Sequence, residues 1–267
     1  MNFSVVLVGA GNMGGAMLRG WISNGLAGDA ITVIDPSPSE GMKNILLKSK
    51  IWHSETAKGV GAPDVLVVAV KPQMMESVLP TLTELVGENT VVVSVAAGTT
   101  LETLARHLGD VSAIRVMPNT PSLVLRGMSV GCANKKTSVE QIEHVTILMR
   151  AIGRIEWVDD EKLIDAVTAV SGSGPAYAFY LAECMAEAGV KAGLPEGLAM
   201  ILAKETVSGA GELLSQSADE PAVLRKNVTS PNGTTAAALE ILMAEGGMSE
   251  QIEKAVMAAK KRSEELS

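Results

Sequence analysis

Val5-Val6-Leu7-Val8-Gly9-Ala10-Gly11-Asn12-Met13-Gly14 is the stretch whose reading decides the fold. Four aliphatic residues in a row predict a short strand covered on both faces, as strands of a parallel sheet are. The glycines follow at once, and Met13, Met17 and Trp21 then recur at helical spacing. In a strand–turn–helix of this kind each glycine has a task. The first makes the tight turn, the second lets the backbone approach a pyrophosphate, and the third lets helix and strand pack closely. The helix N-terminus adds unbonded N–H groups and a partial positive charge facing the anion. The pattern G-x-G-x-x-G alone is a weak signal; the strand before it, the helix after it and an acid at the end of the next strand strengthen it. Gly9, Gly11, Asn12, Met13 and Gly14 are therefore expected to cradle a dinucleotide.

That acid is Asp35, where a carboxylate accepts hydrogen bonds from the adenine ribose. It would repel a 2′-phosphate by about 1–4 kcal/mol at intermediate screening. No Arg follows it; Pro36-Ser37-Pro38-Ser39 offers hydroxyls, and Lys43 is the nearest cation downstream. Of NADH and NADPH the reading leans to NADH, with a capping role for Asp35 as the alternative. Three further segments end strands on the same side. They are Ala69-Val70-Lys71-Pro72, Ala96-Ala97-Gly98 and Arg115-Val116-Met117-Pro118-Asn119-Thr120-Pro121. Ligands of such sheets lie beyond the carboxyl ends of the strands. Ala69, Val70, Lys71, Pro72, Ala96, Ala97, Met117, Pro118 and Asn119 thus join Asp35, Pro36 and Ser37 as expected cofactor contacts. Lys71 can be read as a base or, more simply, as a solvated cation beside phosphates.

Outward from this core, strands are expected at Val5–Val8, Ile31–Ile34, Val65–Val70, Val91–Val95, Ala113–Val116, Met128–Cys132 and Ile155–Val158. Helices alternate with them, one opening on the capping-box spacing Thr99-x-x-Glu102 and one running from Ser138 to Ile152 before Gly153. The alternation defines an α/β, doubly wound, mostly parallel Rossmann domain over residues 1–159. After Asp159-Asp160, read as a helix cap, the spacing is helical only, with breaks at Gly193-Leu194-Pro195, Asp219-Glu220-Pro221 and Gly246-Gly247. Residues 160–267 are therefore expected to form an all-α domain, with more apolar surface than a lone bundle hides; a homodimer follows.

Of the 267 residues, 47% are hydrophobic and only 3% aromatic, which suits helix packing and buried strands filled by Ala, Val, Leu, Ile and Met. A net charge of -8 argues against nucleic acid or an anionic membrane as partner. Cys132 and Cys184, in apolar surroundings, are expected to be buried thiols in a reducing compartment. With neither a leader pattern nor an apolar run near membrane-spanning length, the expected location is the cytoplasm.

The helical half holds no histidine; His53, His107 and His144 all precede residue 150. Alcohol dehydrogenases need a positioned base. The 6-phosphogluconate and β-hydroxyacid dehydrogenases, which share the two-domain layout, supply a Lys on the first helix of the helical domain. Ser171-Gly172-Ser173-Gly174-Pro175-Ala176-Tyr177 has none, which suits a substrate already activated as a protonated imine. Tyr177 and Tyr180 are possible acids, with helix packing as the plainer role. Asn227-Val228-Thr229-Ser230-Pro231-Asn232-Gly233-Thr234-Thr235 precedes the expected helix Ala236 to Met243 and gathers hydroxyls, a glycine and N–H groups at a helix N-terminus, an anion site.

Together, Gly9–Gly14, Ala69–Gln73, Ser94–Gly98, Arg115–Pro121, Ser171–Tyr177 and Val228–Thr235 make the whole chain resemble the pyrroline-5-carboxylate reductases. The resemblance implies a Rossmann domain with a helical domain that interlocks with a dimer mate, often assembled into rings of dimers. It implies reduction of 1-pyrroline-5-carboxylate to L-proline by NADPH or NADH. It places the substrate carboxylate on Val228, Ser230, Pro231, Asn232, Gly233, Thr234 and Thr235, with the Thr235 hydroxyl beside the ring nitrogen as the catalytic group and no metal. It also sets the helix of Gly172 at the dimer interface. The sequence departs from that family at Asn232, where glycine is common, and at Lys226, where an acid is common; both bear on substrate breadth. The alternatives are an imine or keto-acid reductase with another substrate, a metal-dependent reductoisomerase built on acids such as Glu183 and Glu187, and a silent dinucleotide-binding scaffold.

Overall fold

The computed structural model describes residues 3–266. The described residues divide into two compact units, residues 3–172 with 259–266, and residues 173–258. The first unit is built on one sheet of eight strands: β1 Val5–Val8, β2 Ile31–Ile34, β3 Trp52–Ser54, β4 Val65–Val68, β5 Val91–Ser94, β6 Ser112–Met117, β7 Gly127–Ala133 and β8 Gly153–Trp157. Their order is β3-β2-β1-β4-β5-β6-β7-β8, every pair parallel except antiparallel β6–β7. The helices of this unit are α1 Asn12–Ser23, α2 Glu40–Lys48, α3 Met75–Val78, α4 Leu101–Leu108, α5 Val139–Arg150 and α6 Leu163–Val167; a wide turn at Thr168–Gly172 ends it.

The apolar strands read as continuous runs because both faces are covered. Val5, Leu7, Val65, Val67, Val91 and Val93 point to one side, where they meet Met17, Leu18 and Trp21 of α1 and Leu148 and Met149 of α5. Val6, Val8, Leu66, Val68 and Val92 point to the other, against Leu79, Leu82, Leu85, Leu104 and Leu108. Each such side chain contributes about 1.5–3 kcal/mol by burial, and a one-residue slip would send every one to the wrong layer. The pairing register is thus fixed by side-chain size as well as by polarity. Trp21 carries its one polar atom into this core and satisfies it, donating from Nε1 to the Leu148 carbonyl at 2.9 Å.

Three readings of the sequence need correction. Strand β3 escaped notice because Trp52-His53-Ser54 is short, half polar and at the sheet edge, where one side needs no apolar cover. Helix α4 is capped by Thr100, not Thr99: the Thr100 hydroxyl accepts the Thr103 N–H, and no Glu102 box forms, because Thr99 is turned into the core at 4% exposure. Cys132 is buried, but Cys184 is exposed on a helix whose face the single chain leaves uncovered. By contrast α5 is capped by Ser138 with Gln141 returning to the cap residue, a full capping box.

The second unit is helical throughout its described residues: α7 Gly174–Lys191, α8 Glu196–Gln216, α9 Pro221–Asn227, α10 Thr234–Leu242 and α11 Met248–Glu265, whose last turns belong to the first unit. The breaks at Gly193–Pro195, Asp219–Pro221 and Gly246-Gly247 stand where expected. Helices α7 and α8 pack closely because small residues face each other; a Cβ on Gly189 would lie 3.2 Å from that of Ala199. Only Ala186, Ala199 and Ala203 are buried along those two helices, while Phe179, Tyr180, Ile201 and Ile241 are each 60% exposed or more. So large an apolar surface marks an association face. Among the described residues, no helix is long and apolar enough to cross a membrane.

Candidate active site

At the end of β1 the chain turns through Gly9, whose φ of +89° is left-handed and whose missing Cβ would stand 2.9 Å from the Ala69 carbonyl oxygen. Only glycine fits there. Gly14, on the first turn of α1, faces the Gly9 carbonyl so closely that any side chain would collide with it. Gly11 is the N-cap of α1 and no side chain caps the helix among the described residues. The first amides of α1 thus carry no side-chain cap, and an uncapped helix N-terminus suits an anion.

Asp35 closes the loop from the next strand. Its Oδ2 accepts the Ala10 N–H at 2.7 Å and its Oδ1 accepts the Ser37 N–H at 2.9 Å. One carboxylate therefore ties the β1–α1 turn to the end of β2. Its backbone is tied to β3: the Asp35 N–H donates to the Ser54 carbonyl at 3.0 Å, and His53 Nε2 lies 2.8 Å from the Asp35 carbonyl oxygen.

A cleft of about 440 Å³ opens beside this loop. It brings together Gly9, Gly11, Asp35, Pro36, Ala69, Val70 and Lys71 from the sequence reading. It also adds Glu55, Thr56, Ala57 and Thr81, which that reading missed. Glu55 to Ala57 follow β3, so they became visible only once β3 was. Pro72 and Ala97 line a neighbouring cleft of about 580 Å³ together with Gly98, Thr99 and Arg106. Ala96 is buried, and Met117 ends β6. Asn119 uses its side chain inside the protein: its amide donates to the Ser171 carbonyl at 3.1 Å, and its Oδ1 accepts the Met128 N–H at 2.8 Å. Asn12 and Met13 open α1 and Ser37 is exposed two residues after Asp35, but none of the three is among the residues lining the cleft beside the loop; Pro118 lies between Met117 and Asn119.

In the second unit, the segment between α9 and α10 forms a compact turn. The Thr229 N–H donates to the Lys226 carbonyl at 3.0 Å, and the Gly233 N–H to that of Ser230 at 3.1 Å. Asn232 adopts a left-handed φ of +58°, so asparagine holds the geometry for which glycine is the easier residue. Gly233 is the N-cap of α10, packed so near the Ser230 hydroxyl that a side chain would strike it. No side chain caps α10 among the described residues, so the Thr234, Thr235 and Ala236 amides face outward at a positive helix end. Val228, Ser230, Pro231 and Thr234 are exposed and Thr235 is half-buried. Lys226, in the last turn of α9, is exposed and complements that helix's negative end.

Of the tyrosines, Tyr180 is 66% exposed. Its hydrogen bond with Cys184, together with the nearby Glu187 and Glu183 carboxylates, pushes its hydroxyl above the ordinary tyrosine value, which makes it a poorer proton donor. Burial and then the Glu161 carboxylate raise the Cys132 thiol as well, so it stays protonated and inert.

Residues 161–266 match the family model described as pyrroline-5-carboxylate reductase dimerisation, and residues 4–98 match that described as NADP oxidoreductase, coenzyme F420-dependent. The chain is 40% identical over 263 residues to a pyrroline-5-carboxylate reductase of Pseudomonas aeruginosa, covering 98% of this chain and 96% of that one. The structure of a pyrroline-5-carboxylate reductase from Coxiella burnetii superposes with a TM-score of 0.93 at 34% identity, covering 100% of this chain and 99% of that one. The pyrroline carboxylate reductase of Plasmodium falciparum, solved with NADP bound, gives 0.84 at 28% identity over 99% and 98% of the two chains. With relatives matched from end to end, the chain belongs to the pyrroline-5-carboxylate reductase family.

Proposed function

We propose that this chain reduces 1-pyrroline-5-carboxylate to L-proline, with hydride supplied by a nicotinamide dinucleotide bound on the first unit. The observation that carries the reading is the turn Ser230–Thr235, where three uncapped amides, a left-handed asparagine and the threonine hydroxyls gather at one helix N-terminus. An amino-acid carboxylate fits such a nest, because charge-assisted bonds from N–H groups at a positive helix end suit an anion. Thr235, one residue further along the helix, would place its hydroxyl against the ring nitrogen and hold or pass the proton there. The cofactor, when bound, would supply hydride to the carbon doubly bonded to nitrogen, and Thr235 would hold the proton that the nitrogen keeps. No general base is required, in keeping with a second unit that contains no histidine. Alignment of the imine by this chain's own groups would supply most of the rate.

The residues of the first unit fit the cofactor: a turn in which Gly9 and Gly14 have no room for a side chain and Gly11 leaves open space, uncapped helix amides for the diphosphate and a cleft for the adenosine. Asp35 and Glu55 both line that cleft, with Lys71 as the cation among its lining residues. Two carboxylates near the adenosine support NADH over NADPH, since a 2′-phosphate would be repelled by about 1–4 kcal/mol at each close approach. The exposed apolar faces of α7, α8 and α10 support a homodimer as the working form, and rings of such dimers are the further arrangement to look for. The test is steady-state oxidation of NADH and of NADPH with the imine, with proline identified as product. Rapid turnover to proline supports the reading, and tight cofactor binding without turnover refutes the substrate assignment.

A further inference from the structure

Arg115 stands in the middle of β6 and is 2% exposed. A charge taken so far from water persists only with partners. Its Nη1 lies 3.2 Å from Glu161 Oε1 and its Nη2 3.6 Å from Asp165 Oδ1. Each carboxylate reaches a second element. Glu161 Oε1 accepts the N–H of Leu101, the first residue of α4, at 2.9 Å. Asp165 Oδ1 accepts the buried Ser263 hydroxyl near the end of α11 at 2.7 Å. One guanidinium thus gathers a strand and three helices drawn from three separate stretches of the sequence, residues 101–115, 161–165 and 263.

What these contacts hold is the segment Ala96-Ala97-Gly98-Thr99-Thr100 between β5 and α4. Its far end is fixed where Glu161 bonds the Leu101 amide. Its middle is fixed at Gly98, φ +76°, where the missing Cβ would stand 2.5 Å from the Leu266 carbonyl oxygen. Leu266 is in turn placed by Ser263, whose carbonyl accepts the Leu266 N–H at 3.1 Å. Arg115 itself leads directly into Met117-Pro118-Asn119. Two of the three strand ends assigned to the cofactor therefore depend on one buried cluster.

We propose that Arg115, Glu161, Asp165 and Ser263 are positioning residues for the reduction: they fix the Ala96–Thr100 segment so that the cofactor's nicotinamide end binds in a single pose. The inference rests on the reading of Ala96 and Ala97 as cofactor contacts. It predicts a selective defect, in cofactor affinity rather than in imine affinity.

The experiment compares Glu161→Ala, Glu161→Gln and Ser263→Ala with the wild-type full-length chain. The readouts are the Kd for the preferred of NADH and NADPH by nicotinamide fluorescence, the KM of each substrate, and amide hydrogen exchange over the peptide containing Leu101. Glu161→Ala should raise the cofactor Kd about tenfold or more, change the imine KM by less than about twofold, and speed exchange at Leu101. Glu161→Gln keeps an oxygen to accept that N–H and should recover most of the affinity. An unchanged cofactor Kd in folded Glu161→Ala overturns the proposal, as does an equal rise in both KM values. If Glu161→Ala does not fold, Ser263→Ala, which removes only a hydroxyl, should raise the cofactor Kd about threefold to tenfold, and no rise overturns it. If the wild type binds cofactor but leaves the imine unreduced, the proposed reaction fails while the Kd comparison still decides the positioning role.

Discussion

Replacing Asp35 separates two things that one carboxylate does. Its oxygens accept the Ala10 and Ser37 amides at 2.7 and 2.9 Å, and its charge faces the adenosine cleft. Asp35→Asn removes the charge but keeps one oxygen acceptor and nearly the same volume. A 2′-phosphate 4–5 Å away in a cleft open to water meets a repulsion near the low end of about 1–4 kcal/mol. Removing roughly 1.4 kcal/mol of it should raise the ratio of kcat/KM for NADPH to that for NADH about tenfold. Asp35→Ala also loses both amide contacts, charge-assisted bonds of about 1.5–3 kcal/mol each. It should weaken both cofactors, because the β1–α1 turn is then free to move. Glu55→Gln should shift the ratio in the same direction without touching the turn. The assay is initial velocity across a range of each cofactor at saturating imine. A ratio shift below about twofold in an active Asp35→Asn enzyme would refute the electrostatic argument and leave Asp35 a purely structural tie.

Other consequences are open to direct measurement. Thr235→Ala should lower kcat by about one to three orders of magnitude with little change in cofactor Kd, the range of one oriented donor; full activity would remove Thr235 from the chemistry. Trp21→Ala empties a core site and breaks the bond to the Leu148 carbonyl. It should cost about 3–5 kcal/mol in denaturant unfolding, and a loss under about 1 kcal/mol would mean the core repacks. The Ser4 N–H and hydroxyl, at 2.6 and 2.8 Å from Asp64 Oδ2, hold that carboxyl below its ordinary value of 3.8. A depressed carboxylate contributes stability above the unfolded value and loses it as pH falls through the folded one. The gap in stability between wild type and Asp64→Asn should therefore be full at neutral pH and shrink in acid below about pH 4; a gap independent of pH would contradict the assignment.

The central strands were legible because β1, β2, β4 and β5 are aliphatic at almost every position, a pattern that two covering layers impose. The glycine loop was legible because Gly9 and Gly14 answer separate steric demands, a left-handed turn and a close helix–strand approach, while the space beside Gly11 is open. Strand β3 was not, since an edge strand of three residues needs neither apolar alternation nor length, and Glu55 and Thr56 stayed hidden behind it. The Thr99 and Thr100 hydroxyls differ only in which one the backbone turns toward the helix, a matter of φ and ψ that composition does not encode. Ser230–Thr235 could be read as an anion turn, and its left-handed Asn232 agrees with that residue's tolerance of such a backbone. Arg115, Glu161, Asp165 and Ser263 gave no warning in the sequence: they are scattered over about 150 residues, and only the sheet and the closing of α11 bring them together.

Hydride delivery to the imine carbon is most directly tested by single turnover with nicotinamide cofactor deuterated at the transferring position and 1-pyrroline-5-carboxylate, with the product read by mass spectrometry and NMR. The account predicts proline carrying one deuterium, located on the ring carbon that had been doubly bonded to nitrogen. Unlabelled proline, or oxidised cofactor with no proline formed, would contradict it.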